Sequence, residues 1–334
     1  MSIKTPLLRA AAVLCAAVLL FPLAACSSIP ASTKEEKTAV LSIDEYEVPY
    51  EQMRYFVRNY MDTRAAGDEN YWTEQRAADE QASVYADCYS SLKNQYAILS
   101  LCKQYGIERD DNAIAELTES TMDGIVAQYE DEKSYAADLK KNHMTHQVYT
   151  FFTQMSLMQE ELYFAMMDAG DLETDEKVLR EKIYGDDFIR VKQILISNDE
   201  GEKKEDNLRK AEEAQKRAAA GEDFDKLVKE YGEDLFMFNN TDGYYICRGV
   251  WYKAFEDTAF ALKNGQVSDV IETSAGYSVL YRCEKDKAFL EKNFEDLCAD
   301  YREAQFGLAL EAKAASMKVT EKETLASYTL LTMD

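Results

Sequence analysis

Phe188-Ile189-Arg190-Val191-Lys192-Gln193-Ile194-Leu195-Ile196 is where the character of this chain changes. The stretch is rich in β-branched and apolar residues, has no glycine or proline, and reads as a strand. Before it, apolar residues recur at helical spacing. After it the pattern alternates. Glu205 to Ala220 is a charged amphipathic helix stopped by Gly221, and Phe224 to Tyr231 is a short helix. Gly243-Tyr244-Tyr245-Ile246-Cys247 reads as a strand and Trp251 to Leu262 as a helix. Val270-Ile271-Glu272 and Tyr277 to Arg282 read as strands around the turn Ser274-Ala275-Gly276. An order βααβαββ over roughly 100 residues is that of a compact α+β domain.

Upstream, Ala39 to Ile43 is a short β-prone run, and Val48-Pro49-Tyr50-Glu51 opens a helix with Met53, Phe56, Val57 and Tyr60 on its apolar side. Arg76 to Tyr105 is a long helix, ended at Gly106, a good helix stop. Asp110 to Tyr129, Thr145 to Asp168 and Glu173 to Tyr184 continue the helical pattern. Downstream of Lys285, Phe289 to Ser316 is helical again, and an apolar run closes the chain at Tyr328 to Leu331. The layout is mainly helical, with an α+β domain inserted between two helical segments. No proline follows Pro49, which permits long helices.

The first residues carry a different message. Lys4 and Arg9 precede an uncharged stretch from Ala10 to Ala25, the pattern of a secretory signal. That stretch is shorter than the roughly 20 residues of a spanning helix. It ends in Leu23-Ala24-Ala25-Cys26, which resembles a bacterial lipobox. The expectation is a diacylglycerol on Cys26, whose two acyl chains give stable anchoring. Residues 1–25 are then signal peptide and 26–37 a lipidated tether. The folded body is held on the extracytoplasmic face of the cell membrane.

The formal charge of −24 argues against a nucleic-acid or anionic-membrane surface, which needs basic patches. Of seven cysteines, Cys15 lies in the signal and Cys26 is the anchor. The other five are neither a disulfide framework nor a zinc motif. Cys247 with Cys283 is the pair open to a disulfide outside the cytoplasm. His143 and His146 are the only histidines, and Thr145 between them is a good N-cap for a helix start, so they are expected as solvated side chains. No metal and no cofactor is expected.

Residues 187–285 resemble the parvulin family of peptidyl-prolyl isomerases. The resemblance is carried in order by Val191-Lys192-Gln193-Ile194-Leu195-Ile196 and by Gly221-Glu222-Asp223-Phe224 with Leu227 to Tyr231. It continues through Arg248-Gly249, the dense match Phe255 to Ser268, and Thr273-Ser274-Ala275-Gly276-Tyr277. It implies a central antiparallel sheet flanked by helices. The layout as a whole resembles foldases of the PrsA and SurA type, in which a parvulin domain is inserted into a helical chaperone domain. Here that chaperone domain would be 38–186, completed by a C-terminal helix at 286–334. Implied partners are unfolded or newly exported proteins with X-Pro segments, and a dimer is one assembly open to the chain.

The resemblance also implies a site. Gln193, Asp234 and Ser278 fall at catalytic positions, and Trp251, Phe255, Phe260 and Thr273 at substrate-binding positions. The family has histidine where this chain has Gln193 and Ser278, and 187–285 contains no histidine. Rotation about a peptide bond faces about 18–20 kcal/mol. No bond breaks, so catalysis needs an apolar slot and groups that favour the twisted amide. Gln193 and Ser278 can still hydrogen-bond, but with a different geometry, so isomerase activity is expected to be weak or lost. The alternative is a non-enzymatic surface lipoprotein that uses the fold for protein binding.

Overall fold

The computed structural model describes residues 29–198, 204–240, 242–273 and 275–333. Cys26 and the signal segment lie outside these residues, as does Ser274. The described residues fall into two compact units: one comprises 29–169 with 309–333, the other lies within 170–308. Among the described residues no helix is long and apolar enough to cross a membrane.

In the first unit, β1 (Ala39–Ile43) pairs antiparallel with β2 (Tyr46–Pro49) and with β7 (Val319–Glu321), giving the order β2-β1-β7. Helices α1 (Tyr50–Ala65), α2 (Glu74–Gln104), α3 (Asn112–Val126), α4 (Glu132–Lys141) and α5 (His146–Ala169) complete it. Pro49 precedes the first turn of α1, where its missing N–H costs nothing. Thr145 caps α5 by accepting from Val148 N at 3.1 Å. α4 was not legible from apolar spacing and is set by a capping box between Asp131 and Ser134. The expected tether is partly folded: Ser32 is buried and its hydroxyl donates to Glu51 Oε2 at 2.5 Å.

The second unit is built on a four-stranded antiparallel sheet, β3 (Ile189–Ser197), β4 (Tyr244–Ile246), β5 (Ile271–Thr273) and β6 (Gly276–Cys283), in the order β4-β3-β6-β5. α7 (Lys204–Ala219), α8 (Phe224–Tyr231) and α10 (Lys253–Ala261) follow the expected path, and α9 (Leu235–Asn239) is a short helix beyond it. Ile194, Ile196, Val279, Ala211, Ala214 and Leu227 are core residues between the sheet and these helices. Gly276 opens β6 with φ +136°, and a Cβ there would stand 2.1 Å from Ile196 O, so only glycine closes this hairpin.

A second apolar cluster uses Tyr245, on the opposite face of β4 from Tyr244. It joins Leu179 and Ile183 of α6 (Glu176–Tyr184), Phe188, Cys247, Leu290 of α11 (Lys287–Lys292), and Phe294, Leu297 and Tyr301 of α12 (Phe294–Ser316). The Lys285 ammonium donates to the carbonyls of Ile183, Gly185 and Phe188, tying the end of α6 to the start of β3. Residues 170–186 and 286–308 thus belong with the β-rich unit, whereas their helical pattern had assigned them to the helical body.

The cysteines Cys88, Cys102, Cys247, Cys283 and Cys298 are free and buried. Cys247 follows β4 and Cys283 ends β6, on opposite sides of β3. Two strand spacings are about 9.5 Å, beyond the Cα separation that a disulfide tolerates. Burial pushes the Cys247 thiol up to about 12, which keeps it from acting as a thiolate.

Candidate active cleft

Asp234 is the hub of the cleft. It is the N-cap of α9, and its Oδ1 accepts from Phe236 N at 2.9 Å and Met237 N at 3.3 Å. Its Oδ2 accepts from Gln193 Nε2 at 3.1 Å and from the Tyr244 hydroxyl at 2.7 Å. Burial first, then the bond to Asp234, pushes the Tyr244 phenol well above its ordinary range, so Tyr244 remains a donor. Gln193 is buried in β3, and its amide orientation follows from its carboxylate partner.

Register places the other predicted polar residue on the same face. Gln193 pairs with Leu280 and Leu195 with Ser278, so Gln193 and Ser278 are diagonal neighbours across β3 and β6. Diagonal pairs stand about 7–8 Å apart, too far for a direct hydrogen bond.

Beside this polar pair runs a row of rings. Phe236 stacks on Tyr244 with centroids 4.5 Å apart, Tyr244 meets Trp251 edge-on at 4.8 Å, and Trp251 stacks on Phe255 at 4.6 Å. Phe255 is 2% exposed, so Trp251 presents the ring surface and Phe255 supports it from below. Leu235 and Phe238 on α9, and Val250 and Tyr252 next to Trp251, leave large apolar side chains in solvent; Leu235 is 78% exposed.

Two predicted residues are engaged elsewhere. The Thr273 hydroxyl donates to Gly276 O at 3.1 Å and accepts from Ala275 N, within the β5–β6 turn. The Arg248 guanidinium lies 4.4 Å from the centroid of the Phe260 ring. Tyr244, Phe236 and Met237, whose sulfur accepts from Gln193 N at 3.4 Å, had not been singled out. Their available signal was slight: Tyr244 sits at an inward position of a short strand, and α9 is too brief for periodicity to show.

Among the described residues no group of three or more His, Cys, Asp and Glu side chains could hold a metal ion. A cavity of about 690 Å³ lies in the first unit, lined by Pro30, Ser32, Arg54, Leu139, His143 and His146. Its polar side chains already have partners: Arg54 pairs with Glu36, His143 with Asp62, and His146 with the Tyr135 hydroxyl.

Residues 190–284 match the rotamase family, the PPIC-type PPIase domain. Foldase protein PrsA of Geobacillus kaustophilus is 33% identical over 131 residues, which are 38% of this chain and 42% of that protein. Foldase protein PrsA of Caldanaerobacter subterraneus is 23% identical over 282 residues, 82% of this chain and 81% of that protein. A crystal structure titled peptidylprolyl isomerase (PrsA) from Bacillus anthracis is 21% identical, with 69% of this chain and all of that one covered, at a TM-score of 0.37. The chain spans less than half the length of the first of these relatives.

Proposed function

We propose that this chain, whose residues 190–284 belong to the parvulin-type, PPIC-type family of peptidyl-prolyl isomerase domains, is an extracytoplasmic foldase that binds X-Pro segments of unfolded secreted proteins and isomerises them slowly. The observation that carries the reading is the Gln193–Asp234–Tyr244 hydrogen-bond hub beside the ring row ending in Trp251. A proline ring would lie against Trp251, with Leu235, Phe238, Val250 and Tyr252 meeting the flanking apolar side chains. Gln193 and Ser278, on one face of the sheet, would offer hydrogen bonds to the amide as it twists. Neither can take up a proton as an imidazole does. A loss of about 2–3 kcal/mol of selective stabilisation corresponds to a rate roughly 30- to 150-fold lower.

The helical unit would hold unfolded clients, and Cys26 would carry the lipid that keeps the protein at the membrane. Replacing Cys26 with serine should release the protein from the membrane fraction; a variant as membrane-bound as the parent would remove the anchor from this reading. Suppression of aggregation of an unfolded secreted protein by the purified chain tests the foldase itself, and no suppression at equimolar chain would contradict it. The absence of histidine from 187–285 favours a second reading, a parvulin fold kept only for binding. Binding of X-Pro peptides with no gain in exchange rate, even after histidines are restored at 193 and 278, would select it.

A further inference from the structure

The loop that carries Trp251 is organised around one oxygen atom. Glu256 Oε1 accepts from Gly249 N at 2.8 Å, Val250 N at 2.9 Å and Trp251 N at 2.9 Å. Consecutive N–H groups turned toward one point form a concave cradle for an anion. Here the anion is a carboxylate from the first turn of the following helix. Glu256 is 7% exposed, and a carboxylate buried to that degree is tolerated only when its lone pairs are satisfied. Gly249, Val250 and Trp251 precede the N-cap Tyr252 and lie outside any helix or strand ladder, and Glu256 Oε1 is the acceptor that their N–H groups share.

The other side of the loop is closed by α12. Gly249 has φ +97°, and a Cβ on it would stand 2.7 Å from Leu308 Cγ and 3.0 Å from Ala304 O. Any other residue at 249 is therefore strained in backbone and blocked in space. Ala304 and Leu308 lie outside the 190–284 match. From the loop the contacts run onward without a gap. Trp251 stacks on Phe255 and meets Tyr244, Tyr244 donates to Asp234, and Asp234 holds Gln193.

We propose that Glu256 is a positioning residue for the cleft: its carboxylate folds Gly249–Trp251 into a cradle that seats Trp251, and α12 is the outer wall that holds the cradle shut. The proposal rests on the cleft reading above. It makes peptide affinity depend on a side chain that faces away from the peptide and on a helix outside the isomerase domain.

The chain has two tryptophans, Trp72 and Trp251, so the full-length Trp72→Phe protein reports on the loop through Trp251 alone. In that background Glu256→Ala, Glu256→Gln, Gly249→Ala and Val279→Ala are compared by Trp251 emission, by thermal unfolding, and by titration into a short isotope-labelled X-Pro peptide. Glu256→Ala should shift Trp251 emission to the red and weaken peptide binding about tenfold or more. Glu256→Gln keeps a carbonyl acceptor and should fall between parent and alanine variant. Gly249→Ala, which attacks the cradle from the α12 side, should shift the emission in the same direction. Val279→Ala removes a core methyl pair on the face of β6 away from Ser278; it should lower the melting temperature and leave the emission unchanged. A folded Glu256→Ala protein with parental emission and affinity would overturn the proposal, as would an emission shift in Val279→Ala equal to that in Glu256→Ala. If Glu256→Ala shifts the emission while no protein, parent included, binds the peptide, the positioning role stands and the isomerase reading falls.

Discussion

Asp234 accepts four hydrogen bonds, two from the backbone of α9 and two from side chains on β3 and β4. Its replacement by alanine removes a helix cap, worth about 0.5–2 kcal/mol, and strips the buried Tyr244 hydroxyl of its acceptor, worth about 1–3 kcal/mol. Urea unfolding should show a fall of roughly 2–4 kcal/mol, since such terms are not additive. Tyr244→Phe should cost about 1–2 kcal/mol, and a double-mutant cycle should show the two positions coupled. A coupling indistinguishable from zero would mean that the hydroxyl and the carboxylate do not meet. Gln193 and Asp234 are singled out by the resemblance to parvulins and not by spacing, and the short helix α9 that Asp234 caps leaves no periodic signal. Glu256 was not legible, because it is one of 62 acidic residues and nothing in its spacing separates a buried acceptor from a solvated one. Phe255 was legible as an apolar anchor, but its depth beneath Trp251 is a matter of packing that no pattern states.

At the level of elements, the sequence located the strands of the second sheet to within a residue or two, because glycines and apolar alternation mark their ends. Trp251 was read as the start of a helix; the structure starts α10 at Lys253 because Glu256 draws the preceding N–H groups into a loop. The terminal helix was read as one piece, and it breaks at Asn293 between α11 and α12. α12 carries a testable oddity. Burial first, then the neighbouring carboxylates of Glu303 and Asp296, raises Asp300 from 3.8 to about 6. The folded chain thus binds more protons at Asp300 than the unfolded chain between those values. Its stabilising contribution is full in acid and is lost as pH rises through the folded value. Asp300→Asn should therefore be more stable than the parent at pH 7 by about 1–2 kcal/mol, with the difference gone near pH 4. Equal melting temperatures at both pH values would place Asp300 in solvent.

At the scale of the whole molecule, long-range closure was the least legible property. The sheet β2-β1-β7 joins residues 39–49 to 319–321, and a three-residue strand leaves no pattern of its own. The apolar residues of α11 and the first half of α12 fit a helical body as well as they fit the β-rich unit; only their partners Phe188, Tyr245 and Cys247 decide the matter. Ending the chain at Lys285 should accordingly harm both units. Loss of Leu290, Phe294, Leu297 and Tyr301 from the second cluster removes on the order of 5–10 kcal/mol of burial by area bookkeeping, an upper estimate. That is comparable to the whole stability of a domain. Calorimetry should show the unfolding of the β-rich unit abolished or sharply lowered, and an unchanged transition would contradict the assignment of 286–308 to that unit. The central claim, that the cleft beside Asp234 binds X-Pro segments and turns them slowly, is tested most directly by exchange NMR on a short X-Pro peptide. The parent, Gln193→His/Ser278→His and Trp251→Ala proteins are measured side by side. The account predicts slow but measurable exchange with the parent, faster exchange with the double-histidine protein, and binding lost with Trp251→Ala. A parent as fast as histidine-containing parvulins, or peptide binding indifferent to Trp251, would contradict it.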